Sequence, residues 1–280
     1  MRGSNVAIVA MMMFLLACGG SKTAKVEEEA PDDSAATEND TIVVETQEEL
    51  IADEPVPMAV DELFDDFIFN FAANQKMQKE RIQFPLRKNV NGHVDSMTVR
   101  QWQMDYFFMK QGYYTLLFNS QQEMEVVKDT SLNEAIVEKI FLDDDCVEQY
   151  CFGRIRGRWM LREIRKHSLS ANANGSFLTF YKHFVSDSTF QLKSLASQIE
   201  FVGPDPDDDF AQMEGVILPE YWDVFAPELP SGLLYNIVYG KEREESDTKI
   251  FVLRGIANGL EMEVTFSKKS GQWKLTKLIT

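Results

Sequence analysis

The sequence predicts an α+β protein of two tandem domains built on one plan, carried behind a secretory leader and an acidic segment. Three observations predict it. The strand ending Gly-x-Trp-x-Leu occurs at 157–161 and again at 271–275. The four tryptophans fall at matching places, Trp102 and Trp159 in one half, Trp222 and Trp273 in the other. Apolar spacings of three and four, which mark a helix face, give way to strand-like apolar runs in the same order in both halves.

The leader comes first. After Arg2, residues 6–17 form an unbroken apolar run of twelve. That is too short for a membrane-spanning helix but suits the apolar region of a secretory signal. It ends in Leu15-Leu16-Ala17-Cys18-Gly19, which resembles the lipobox of bacterial lipoproteins. The resemblance implies a signal peptide over 1–17, cleavage before Cys18, and lipidation of its thiol with fatty acyl (palmitate-type) chains. Each buried methylene adds about 0.8 kcal/mol, so such chains anchor a protein durably. Gly19, in place of aspartate, implies the outer membrane. Whether the protein faces the periplasm or the cell surface stays open, because the acidic run begins only at Lys25.

Residues 18–62 read as a tether. Between 19 and 62 stand fourteen acids against Lys22 and Lys25, which accounts for most of the formal net charge of −17. With so few apolar and aromatic residues the segment cannot bury enough surface to order itself, and a disordered arm is expected. Its one apolar patch is "TIVVE" at 41–45.

From Leu63 the plan runs twice. Phe64, Phe67 and Phe71, and then Phe177, Phe180 and Phe184, place their rings on one helix face. Short strands follow at 81–85 and 198–202, then a second aromatic helix expected around Trp102 and around Trp222. Strands are expected at 113–118 and 233–239, then at 138–142 and 248–253, before the closing tryptophan strands. In Gly-x-Trp-x-Leu the glycine permits a tight hairpin turn, and the alternation of a strand puts Trp and Leu on one face. The repeat length of about 110 residues is that of a duplicated domain, not of a solenoid unit. The domains are placed at 63–167 and 174–280, with "SLSANANG" at 168–175 as a polar joint.

This order, with its Gly-x-Trp-x-Leu ending, resembles the cone-shaped, cystatin-like fold of the nuclear transport factor two and ketosteroid isomerase superfamily. Lipobox, acidic tether and two such halves together resemble a family of Bacteroides-type lipoproteins with no assigned activity. The resemblance implies a curved antiparallel sheet with helices packed into its concave side, leaving a pocket in many relatives. It implies no reaction, because the superfamily hosts enzymes, binders and assembly modules alike.

Chemistry-bearing residues are sparse. Cys146 and Cys151 form an even pair once Cys18 is set aside. A disulfide between them needs a bend, since residues five apart on a straight strand face opposite ways, and two separate thiols are the alternative. His93, His167 and His183 show no metal-ligand spacing, and "LDDDC" and "DPDDDF" lack the calcium-loop pattern. Arg154, Arg156 and Arg158 alternate, so a strand would line them along one face as an anion or sugar-acid site; cross-strand pairing with nearby acids is the plainer reading. For acid–base chemistry the candidates are Asp105 with Tyr106 and Asp223 with Tyr235. No phosphate loop and no nucleophile elbow occurs. The sequence therefore assigns no catalytic residue, metal or cofactor, and no nucleic-acid partner. It predicts a cell-envelope lipoprotein that meets the membrane through its anchor and binds a small molecule or an envelope protein. The alternatives are an isomerase, dehydratase or hydrolase using a cone pocket, or a structural envelope component.

Overall fold

The aromatic spacings fold as predicted into helices, and each is followed by a second, short helix. Phe64–Ala73 is α1, and its Phe64, Phe67 and Phe71 are buried. The chain bends at Asn74, whose side chain accepts from the N–H of Met77 at 2.8 Å and so caps α2, Gln75–Glu80. The second pair, α3 (Gly175–Ser186) and α4 (Ser188–Lys193), is built alike, with Asp187 accepting from the N–H groups of Thr189 and Phe190. The computed structural model describes residues 59–205 and 207–280. The signal peptide, Cys18 and residues 19–58 of the acidic arm lie outside the described residues.

The strands are β1 Ile82–Val90, β2 His93–Met97, β3 Tyr113–Phe118, β4 Glu134–Phe141, β5 Cys146–Ile155 and β6 Arg158–Ser168. In the second half they are β7 Leu195–Asp205, β8 Asp208–Ile217, β9 Leu233–Tyr239, β10 Thr248–Gly255, β11 Glu261–Lys269 and β12 Gln272–Ile279. The hairpin arms β2 and β8 were not foreseen. The second aromatic helix forms in the second half alone and is short: Trp102 lies in a loop ahead of a 3₁₀ turn at Phe107–Lys110, while Trp222 opens a four-residue helix, α5 (Trp222–Phe225). Both indoles are nevertheless buried, each donating to a helix-pair glutamine: Trp102 to Gln78 at 3.0 Å and Trp222 to Gln191 at 3.1 Å.

All twelve strands join one unclosed sheet of order β2-β1-β6-β5-β4-β9-β3-β10-β11-β12-β7-β8. Read from either end, the order visits corresponding strands of the two halves. The third strand is exchanged: β9 pairs with β4, and β3 with β10. Register also fixes which residues correspond. Ala135 faces Phe152, which faces Leu161; Lys249 faces Phe266, which faces Leu275. Ala135 thus matches Lys249.

Two aromatic cores pack on opposite faces of the central strands. On β10, Ile250 and Val252 belong to the core under α1, while Phe251 and Leu253 belong to the core under α3. Burial on both faces is why these strands read as continuous apolar runs instead of alternating. Trp159 and Trp273 lie in the two cores, one in each. Val60 and Asp61, assigned by sequence to the tether, are part of the fold. Val60 is 3% exposed, and Asp61 takes a bidentate bond from Arg81 at 2.7 and 2.9 Å. No helix among the described residues is long and apolar enough to cross a membrane.

Candidate functional site

The concave side of the first half is filled with rings. Phe64, Phe67, Phe71 and Phe152 pack with centroids 5.3–5.9 Å apart, beneath Phe107 and Phe108. Polar chemistry is left to the rim. There Asp105 accepts from the hydroxyl of Tyr150 at 3.0 Å and is ion-paired with Lys139. Lys139 Nζ is ringed by Tyr150, Phe107 and Tyr235 at 5.0, 5.4 and 5.7 Å. Burial and the neighbouring carboxylate push the Tyr150 hydroxyl far up, and push Tyr235 up to about 12. Both tyrosines therefore stay protonated donors. Asp105 was foreseen as the acid, but with Tyr106, whose ring lies under Lys110 instead. Tyr235 was assigned to the other half's candidate; strand exchange sets it opposite Lys139. Asp223 is exposed on α5. The recess beside Asp105 is open, with a volume of about 520 Å³. Asp105 Oδ2 is engaged by an ammonium and a hydroxyl and its Oδ1 by the Phe107 N–H at 2.9 Å, so a substrate proton must compete with three donors.

A second Asp–Tyr pair lies at the other end of the same face. Buried Tyr239 donates to Asp65 of α1, whose carboxyl is raised above its ordinary range by burial. Neither residue was singled out from the sequence. Only their meeting across 174 residues makes them notable.

A concavity of about 570 Å³ opens on the opposite face over β1, β6, β5 and β4. Its walls carry Arg87, Arg162, Arg165 and Lys241 against Glu134, Glu163 and Glu242. Glu163 is committed to Arg87 at 3.1 Å and Arg165 at 2.9 Å. Arg162 and Lys241 form no ion pair among the described residues. Arg162 reaches the cleft through a bulge: Phe152 pairs with Leu161, but Cys151 pairs with Glu163, leaving Arg162 as the extra residue. Its stem lies against Gly153, where an added Cβ would come within 2.9 Å of Arg162 Cδ. Gly153→Ala should therefore displace the Arg162 side chain while leaving the fold intact. A crystal structure of the variant checks this; an unmoved Arg162 refutes it.

The arginines named from the sequence lie elsewhere. Arg154 donates to the carbonyls of Leu132 at 2.7 Å and Glu62 at 2.8 Å and covers Trp159, 4.7 Å from its ring. Arg156 and Gly157, both at positive φ, are the β5–β6 turn, so Arg154, Arg156 and Arg158 do not line one strand face. Cys146 and Cys151 are free, both on β5. Cys151 borders the cleft, and burial pushes its thiol up to about 12, so it stays protonated and unreactive at neutral pH.

Beneath residues 168–175 lies a polar centre that the sequence did not reveal. Glu138, 1% exposed, accepts from Gln149 at 2.9 Å, Asn172 at 2.7 Å and Asn236 at 2.8 Å. Lys249, 2% exposed, donates to Asn119 at 2.6 Å and to Asn174. The asparagines of "SANAN" thus tie the joint down onto two buried ionisable groups.

The comparisons agree with this architecture. The chain matches the family described as a domain of unknown function, DUF4348, over residues 43–280. It is similar to the crystal structure of an NTF2-like protein from Bacteroides fragilis, with a TM-score of 0.73 and 39% identity, covering 80% of this chain and 98% of that one. No curated protein matches. An α+β fold with one large curved sheet, a match over most of the chain and a relative at this identity lead to one conclusion: the chain belongs to the DUF4348 family, with an NTF2-like fold.

Proposed function

We propose that this is a lipid-anchored, extracytoplasmic binding protein of two homologous cone-shaped domains, and that its ligand is a small organic anion held in the β1–β6–β5–β4 cleft. One observation carries the ligand reading: a bulge turns Arg162 into a 570 Å³ concavity, where it and Lys241 have no ion-pair partner among the described residues. A planar guanidinium with free donors suits a carboxylate, such as that of a sugar acid. The palindromic strand order and the matched Gln78–Trp102 and Gln191–Trp222 bonds support duplication. The lipobox at Cys18 supports anchoring at the outer membrane.

Calorimetric titration with glucuronate tests the ligand. Binding to the full chain should weaken at least about tenfold in Arg162→Ala and in Lys241→Ala, the size of one lost charge-assisted contact. Equal affinity in wild type and both variants refutes the site. For the anchor, Cys18→Ala should move the protein from the membrane pellet to the soluble fraction. An unchanged distribution refutes lipidation.

The second reading is an isomerase- or hydrolase-type enzyme, favoured by Asp105, Tyr150 and Lys139 at the rim of the first half. It requires a substrate that displaces Lys139 from Asp105, and turnover that is lost in Asp105→Asn.

A further inference from the structure

We propose that the groove between α3, α4 and the β11–β12 hairpin binds an extended acidic peptide of a partner protein, in which an apolar residue directly precedes a carboxylate. The groove holds about 490 Å³ over Phe180, Phe190 and Trp273. Lys193, Lys268 and Lys274 stand along it, and no acidic side chain lines it. Lys268 reaches Ser176 at 2.9 Å and pairs with Glu245 at 3.8 Å, Lys274 bonds the carbonyl of Lys193, and the amine of Lys193 has no partner among the described residues.

The chain itself shows what fills such a groove. At the matching place in the first half, Phe67 corresponds to Phe180, Met77 to Phe190, Arg81 to Ser194 and Trp159 to Trp273. The register bears this out: the Leu161 N–H bonds the Arg81 carbonyl at 2.8 Å, and the Leu275 N–H bonds the Ser194 carbonyl at 2.9 Å. There the groove is occupied by Val60 and Asp61. Val60 is buried in the core, and Asp61 accepts from Arg81 and from the Trp159 N–H at 2.9 Å. In the second half the residues entering the helix pair turn away. Asn172 and Asn174 are drawn to Glu138 and Lys249 on the sheet, so neither enters the Trp273 groove, where Lys268 stands 5.4 Å from the indole ring. Arg81, the cation that receives Asp61, is replaced there by Ser194, and Lys193 and Lys274 supply cationic charge in its stead. An apolar–acid dipeptide therefore has a filled precedent on one side and an open counterpart on the other, where Lys193 and Lys274 have no ion-pair partner among the described residues.

The probe is a fluorescein-labelled peptide with the sequence of residues 57–63, Pro-Met-Ala-Val-Asp-Glu-Leu, titrated with the full chain and read by fluorescence anisotropy. We expect saturable binding that weakens with added salt. It should weaken at least about tenfold in Lys193→Glu/Lys274→Glu, as for loss of a charge-assisted contact. The same loss is expected when the peptide carries Asn in place of its aspartate. Should the double variant fail to fold, the exposed single change Lys193→Gln gives the same readout with a smaller loss. Absence of saturable binding, or equal binding by the charge variants, overturns the proposal. Self-association of the full chain that the same substitutions abolish also overturns it, because the occupant is then a second copy.

Discussion

Trp159→Ala is expected to lower unfolding stability by about 3–5 kcal/mol, the usual cost of truncating a fully buried indole. The ring is 0% exposed, with Phe64 at 5.0 Å and Phe67 at 6.4 Å, and Arg154 over it. Urea unfolding followed by fluorescence measures the loss. Trp159→Phe should cost much less. The indole Nε1 is buried without a hydrogen-bond partner, and removing an orphan donor recovers about 1–3 kcal/mol against the lost packing. The same core contains Ile237 and Tyr239, which the second half contributes through β9. Wild-type unfolding should accordingly be a single transition across both halves. Two separate transitions would contradict the shared sheet.

Glu138→Ala should be comparably severe, at about 3–5 kcal/mol, because it strands the buried amides of Asn172 and Asn236 and leaves Gln149 only its bond to Glu242. Glu138→Gln should be milder. If the Asn236 amide turns over, its Oδ1, now buried without a partner, can accept from the new glutamine N–H. The pair of variants also has a pH signature. Burial raises the Glu138 carboxyl above its ordinary value, more than its three amide donors lower it. The folded state then holds its proton where the unfolded chain has released it. This contribution to stability is complete below the unfolded value of 4.5 and is lost as pH rises through the folded one. Burial lowers Lys249, so its contribution has the opposite sign, present above 10.5 and lost as pH falls through its folded value. Unfolding measured from pH 4.5 to 8 should show wild type losing stability relative to Glu138→Gln as pH rises. Parallel curves would rule out a titrating Glu138.

What the sequence determined by itself is what depends on near neighbours along the chain. Three- and four-residue spacing placed Phe64, Phe67 and Phe71 on one side of α1, and Phe177, Phe180 and Phe184 on one side of α3. Gly157 and Gly271, both at positive φ, mark the hairpin turns before the tryptophan strands. Asp105 could be named as an acid, because its residue type and place were visible. Its partners could not: Lys139 lies 34 residues on, Tyr150 lies 45 on, and Tyr235 arrives only through the exchanged strand. The expected helix around Trp102 did not form and that around Trp222 is only the short α5, because hydrogen bonds to Gln78 and Gln191 and burial already hold those indoles. Arg154, Arg156 and Arg158 were legible as a cluster but not as a turn, while Arg162 entered the cleft through a bulge that no alternation records. Tertiary structure alone decided which strand pairs with which. Any apolar strand can lie beside another, and the choice follows from covering both faces of β4, β9, β3 and β10 at once. That gain belongs to the assembled sheet, and no window of the sequence contains it.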